Sequence, residues 1–177
     1  MLDEQAEIEA AQEQKQQDID IRLFVCFKLA HEEYALDIQS IQEAIKEFRI
    51  TPVPQMPEFC LGIINNRGSV IPVFDLRKKF HLDPKPFDAN TRVLVALVDN
   101  ITISLVVDEV LDNIKFETSK IDPAPTVRMK IEREYVEGLG EIDKRMIIIL
   151  NLSKMHEFIK KEIADYQNKI TEKRHDA

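Results

Sequence analysis

Blocks of this sequence occur twice, in the same order, and that repetition constrains the fold more than any single motif. Residues 24–29 (FVCFKL) match 93–98 (VLVALV) at an offset of 69. Residues 38–45 (IQSIQEAI) match 107–114 (VDEVLDNI) at the same offset. Residues 50–54 (ITPVP) match 121–125 (IDPAP) at 71, and Gly62 matches Gly138 at 76. Residues 73–78 (VFDLRK) match 149–154 (ILNLSK), again at 76. The offset grows only where loops lie. Chance likeness between apolar strands explains any one pair, but not the ordered set. The body is therefore two copies of one β unit, each of about five strands and roughly 65–70 residues. A unit that small has a marginal core alone. The copies are expected to bury an apolar face against each other, and the groove between them is a candidate binding surface.

Local patterns agree. Residues 22–29 (RLFVCFKL) alternate, with Leu23, Val25, Phe27 and Leu29 on one face, and 32–38 (EEYALDI) read as the hairpin partner. Residues 38–48 place Ile38, Ile41, Ile45 and Phe48 three and four apart, which fits a short helix or a turn entering a strand. Residues 62–76 (GIINNRGSVIPVFDL) are two apolar runs around Asn65-Asn66-Arg67-Gly68-Ser69, a hairpin. Pro72 cannot donate to a ladder, so its strand is expected at an edge or starting there. Residues 92–110 form a second hairpin turning at Asp99-Asn100, and 134–152 another strand pair. At the end Met155, Ile159, Ile163, Tyr166 and Ile170 recur at helical spacing, predicting a helix whose apolar stripe packs on the body.

Composition narrows the function. The net charge is −8, yet residues 1–21 alone hold seven acids against Lys15, so the rest of the chain is nearly neutral. That segment reads as a frayed helix or disordered lead-in. It lacks the basic and apolar regions of a secretory signal. A neutral body disfavours nucleic-acid binding, and no apolar run reaches membrane-spanning length. Cys26 and Cys60 sit in apolar stretches and read as reduced core thiols. The four histidines have no ligand spacing, and four dispersed glycines make no phosphate loop. Asp37, Asp75 and Asp108 each follow an apolar strand, where an Asp commonly caps the next turn. No enzyme, metal or cofactor site emerges.

The ordered blocks 24–45, 50–80, 106–110, 121–125 and 138–155 together resemble the CheW-like coupling proteins of bacterial chemotaxis, over roughly residues 22–155. The stretch from Gly62 to Leu76 is similar to the family signature G-(V/I)-I-N-L-R-G-x-(V/I)-I-P-(V/I)-x-D-L, with Asn66 where Leu is usual. The resemblance implies a mainly β fold: two SH3-like five-stranded β-barrel lobes packed together, with short connecting helices and a C-terminal α-helix. The expected organisation is an acidic segment 1–21, a domain 22–155 with lobes near 22–85 and 92–152, and a helix and tail at 156–177; exchange of strands between lobes stays open.

The resemblance also implies a non-catalytic adaptor with no cofactor. Its expected partners are the regulatory domain of the histidine kinase CheA, the cytoplasmic tip of chemoreceptors, and other CheW-like domains in array rings. Its expected place is the cytoplasm, at the inner face of the membrane, without inserting. The 177 residues leave no room for a kinase or receiver domain, so a stand-alone adaptor is expected. The alternatives are an adaptor of a non-flagellar chemosensory pathway, or a small-ligand sensor or enzyme using the inter-lobe groove. Motif matching places Glu43 and Arg67 at partner-binding positions, with Ile38, Ile41, Gly62, Asn65, Asn66 and Gly68 around them. Arg67 is expected to hold Glu43 through a bidentate fork. Ile38 and Ile41 fit a receptor contact and a core role equally. Gly62 and Gly68 serve backbone geometry, and Gly138 and Gly140 look like their second-copy counterparts.

Overall fold

The structure is a computed structural model that describes residues 4–7, 19–123 and 125–175. Most of the acidic lead-in thus lies outside the described residues; 4–7 are helical. The described residues form strands β1 (Ile21–Leu29), β2 (Glu32–Asp37), β3 (Ile41–Ile45), β4 (Cys60–Asn66), β5 (Ser69–Asp75), β6 (Arg92–Val98), β7 (Ile101–Val107), β8 (Glu109–Glu117), β9 (Val136–Ile142) and β10 (Arg145–Leu150). Helices α1 (Leu76–Lys79) and α2 (Leu152–His175) follow β5 and β10. Residues 38–48 resolve as a one-turn 3-10 helix running into β3, not as an α-helix.

Two five-stranded sheets result, in the orders β8-β1-β2-β10-β9 and β3-β6-β7-β5-β4. Replacing each strand by its repeat equivalent turns one order into the other. Each sheet takes two strands from one copy and three from the other. The ranges 22–85 and 92–152 therefore mark sequence copies, while each sheet draws on both. The chain changes sheets at equivalent points, after β2 and after β7. Exchange also explains the parallel pairs β2–β10 and β5–β7, which join strands of different copies.

Alternation along the strands fills separate cores. Phe24 and Cys26 face a cluster inside the first sheet, while Val25, Phe27 and Leu29 face the main core between the sheets. Val93 and Val95 line the inside of the second sheet, and Leu94 and Ala96 face the main core. The space between the sheets is thus filled with side chains of the main core.

The repeat holds at the level of single bonds. Thr51 bridges to Ile63, and Asp122 bridges to Leu139. Asp75 N donates to Phe59 O and Asn151 N to Tyr135 O, each at 2.8 Å. Gly62 and Gly138 share one reason to be glycine. A Cβ at Gly62 would lie 2.0 Å from Thr51 O, and one at Gly138 would lie 2.9 Å from Asp122 O. Gly140 is different: its Cβ would strike the Phe116 ring, and the true counterpart of Gly68 is Lys144.

Pro72 lies in the interior strand β5, contrary to the edge expectation. Both backbone groups of Ile63, which faces Pro72, are used by Thr51. That pair therefore needs no donor from Pro72. On the other side the ladder to β7 begins only at Val73, and Pro72 O accepts from Ser104 Oγ at 2.7 Å.

Helix α2 is the lengthened second copy of α1. Asp75 caps α1 by accepting from Arg77 N, and Asn151 accepts from Lys154 N. The helix starts at Leu152 rather than near 156, and buries Leu152, Met155, His156 and Ile159. Ile163 packs partly on the main core and Tyr166 is exposed. Lys79 occupies the position equivalent to Met155 and is buried with a 2% exposed side chain. Its ammonium lies 5.1 Å from the ring centroids of both Phe59 and Tyr135, themselves repeat equivalents, and pairs with Glu162 of α2.

Candidate protein-binding site

The second sheet has two edge strands, β3 and β4, which share no ladder. The β4–β5 hairpin turns on Arg67 and Gly68, with φ of 52° and 84°. Positive φ at both central residues is what a two-residue turn between twisted strands demands. The turns at Asp99-Asn100 and Asp143-Lys144 do the same. Asn65 Oδ1 accepts from Gly68 N at 3.1 Å and braces the first turn.

This brings the tip of β4 to β3. Asn66 Nδ2 donates to Glu43 Oε1 at 2.8 Å, and one guanidinium nitrogen of Arg67 lies 3.1 Å from Glu43 Oε2. Glu43 and Arg67 are paired, as the motif suggested, but through one nitrogen rather than a bidentate fork. Asn66 donates to the other oxygen. Glu43 is 26% exposed and Arg67 83%, so the acid is sheltered and the cation stands in solvent.

The remaining candidates divide. Ile38 and Ile41 are partly buried and pack on the main core, so the structure gives them a core contact beside the seam. Gly62 is buried against Thr51, behind the hairpin tip. Gly68 and Asn65 shape the turn. Only Glu43, Asn66 and Arg67 meet through their side chains.

The second copy builds no such group. Asp112, Ile142 and Asp143 stand where Glu43, Asn66 and Arg67 stand, and Ile142 packs against the internal core of the first sheet. Among the described residues, the polar seam is therefore a feature of the second sheet.

Sequence reasoning missed several polar centres, two of them built around α1. Lys79 between its rings is one. The other is Arg77, whose Nε lies 2.7 Å from Asp108 Oδ1, while Ala30 N donates to Asp108 Oδ2 at 2.8 Å. Asp37 and Asp75 do cap the following turns, but Asp108 instead ties α1 to the β1–β2 turn at the point where the chain changes sheets. The apolar flank of Lys79 and the repeat position it shares with Met155 carried the first signal. Nothing local in the sequence carried the second. Burial raises the Cys26 thiol to about 12 and also raises that of Cys60, as expected of core thiols.

A cleft of about 420 Å³ does open between elements of both copies, lined by Lys28, His31, Arg77, Lys85, Asp108 and Lys130 among others. It is charged rather than apolar, and none of the eight candidate residues lines it. Among the described residues, no group of three metal-ligating side chains converges, and no helix is long and apolar enough to cross a membrane.

Comparison with known proteins gives these features a context. The model of the CheW-like domain matches residues 23–159. The chemotaxis protein CheW of Klebsiella aerogenes is 35% identical over 132 residues, covering 75% of this chain and 80% of that protein. The CheW of Helicobacter pylori is 32% identical over 155 residues, covering 87% and 92%. The crystal structure of the scaffolding protein TtCheW from Thermoanaerobacter tengcongensis superposes with a TM-score of 0.71 at 38% identity, covering 75% of this chain and 90% of that one. The Gly62–Leu76 hairpin and, but for the first two residues of β1, the duplicated β body fall inside the domain match, and the chain belongs to the CheW-like family.

Proposed function

We propose that this protein is a non-catalytic adaptor that couples the cytoplasmic tips of chemoreceptors to the regulatory domain of the histidine kinase CheA. It works in the cytoplasm, at the inner face of the membrane where receptors cluster, and joins other CheW-like domains there. The observation that carries the reading is Arg67. It is a highly exposed cation on a braced turn, paired across a seam that the second copy does not reproduce. The fold needs the hairpin; it does not need that side chain. Ile38, Ile41 and Gly62 support the same corner from beneath, and Glu43, Asn65, Asn66 and Gly68 shape its surface.

Membership in a family of scaffolds supports a binding role over catalysis. Each contact of an array member need only be modest, since micromolar affinity is about 8 kcal/mol and repeated contacts add avidity. Pull-down of purified CheA and of a receptor cytoplasmic fragment, each tested separately, examines the reading. Capture of at least one, weakened by Arg67→Ala, is expected. Capture of neither contradicts it.

A further inference from the structure

Resting on that reading, we propose that Arg67 receives a carboxylate of the bound partner, and that Asn66 is the positioning residue that leaves Arg67 free to do so. Glu43 Oε1 accepts a hydrogen bond from Asn66, while Oε2 has only the single 3.1 Å approach of Arg67. When Arg67 turns outward, Glu43 keeps a donor. A carboxylate that is only 26% exposed, with water as its sole remaining donor, would hold the guanidinium back, because a partly desolvated charge keeps the partner it has. Asn66 removes that obstacle.

Arg67 is built for the exchange. Its ion pair is mostly in solvent, and such pairs are weak. A guanidinium offers five donors in a planar fork that takes a carboxylate through two parallel bonds. The Asn65–Gly68 bond fixes the turn from which the fork projects. Glu43 stays beside the fork, and its charge favours a monoanionic guest over a phosphate dianion. The equivalent corner of the first sheet carries Asp112, Ile142 and Asp143, with no cation among the three, so the contact is one-sided.

The test uses calorimetric titration of the full chain with a chemoreceptor cytoplasmic fragment and with the CheA regulatory domain, at low and high salt. Arg67→Ala is expected to weaken binding about tenfold, and Arg67→Lys nearly as much, because a point charge replaces the fork. Asn66→Leu is expected to weaken it about fivefold, since Glu43 then draws Arg67 inward; adding Glu43→Gln recovers most of the loss. Asn66→Ala carries the same expectation if the leucine variant does not fold. The side-chain Nε–H signal of Arg67 in NMR is expected to shift in Asn66→Leu without any partner, and to return in the double variant. Wild-type strength in Arg67→Lys overturns the carboxylate fork. An unchanged Asn66→Leu, or no recovery by Glu43→Gln, overturns the positioning role. Absence of binding by the wild-type chain overturns the adaptor reading instead, while the NMR signal still decides the role of Asn66.

Discussion

Asn66 and Glu43 meet side chain to side chain at 2.8 Å across two edge strands of one sheet that share no backbone ladder. The pair closes the seam between β3 and β4, and it outranks the more conspicuous Glu43–Arg67 ion pair as a stabilising contact. A hydrogen bond to a charged, partly sheltered acceptor contributes about 1.5–3 kcal/mol. An exposed ion pair contributes roughly 0–1 kcal/mol.

A double-mutant cycle on urea unfolding should show this order. Glu43→Ala and Asn66→Ala are expected to couple by about 1.5 kcal/mol, and Glu43→Ala and Arg67→Ala by less than about half of that. Equal or reversed couplings would contradict this order.

Two glycines of the same hairpin should behave differently. Gly62→Ala places a Cβ 2.0 Å from Thr51 O, at a φ of 139°. Backbone must move, and a loss of about 3–5 kcal/mol is expected. Gly68→Ala meets open space and pays only for φ of 84°, about 1 kcal/mol. Chemical denaturation of both variants distinguishes a packing role from a turn role. Equal losses would refute the distinction.

Helix α2 meets one buried cation, Lys79, beside its apolar stripe. Desolvation works against the Lys79 ammonium, yet Glu162 and Tyr135 outweigh it and raise its pKa above the ordinary lysine value. Glu162→Ala should cost about 1–3 kcal/mol by leaving that charge without its carboxylate. Lys79→Met, which copies Met155 at the repeat-equivalent position, should cost less, because it removes the buried charge along with its partner's role. Amide exchange along 159–170 is the direct readout, with faster exchange expected in Glu162→Ala. Unchanged exchange there would show that the apolar stripe alone docks the helix.

Much of this architecture was legible because strands alternate and repeats keep their order. The hairpin at 62–76, the turns at Asp99-Asn100 and the pairing of Gly62 with Gly138 follow from local chemistry. The strand exchange was not legible, since offsets say which segments are equivalent and not which copy pairs with which. β8 was hidden because its polar residues Asp112, Asn113 and Lys115 break the apolar rhythm on an edge strand, although its match to 38–45 pointed to it. Glu43 and Arg67 were found by motif. The bond from Asn66 was not, because Leu in the family signature offers no donor.

Acid should weaken the Arg77–Asp108 tie. Burial alone would raise the Asp108 pKa, but the Arg77 side chain and the Ala30 N–H outweigh it and hold it below the ordinary carboxylate value. The folded chain then binds fewer protons there than the unfolded chain. Stability from this group is complete above the unfolded carboxylate range, about pH 4, and is lost as pH falls through the folded value. Asp75 has the opposite sign, since burial leaves its pKa raised despite its two backbone donors. Asp108→Asn should therefore flatten the loss of stability on acidification, while Asp75→Asn, which copies Asn151, should steepen it. Melting temperatures across pH 3–7 check both signs. The reverse pattern would contradict the assigned causes.

Coupling of kinase to receptor is read by co-sedimentation. Receptor-bearing membranes are mixed with purified CheA, with or without this protein, and the kinase in the pellet is measured. Kinase is expected to sediment with receptor in proportion to the added wild-type chain, and Arg67→Ala to lose most of that effect while remaining folded. Kinase recovery that is indifferent to the wild-type chain would contradict that coupling.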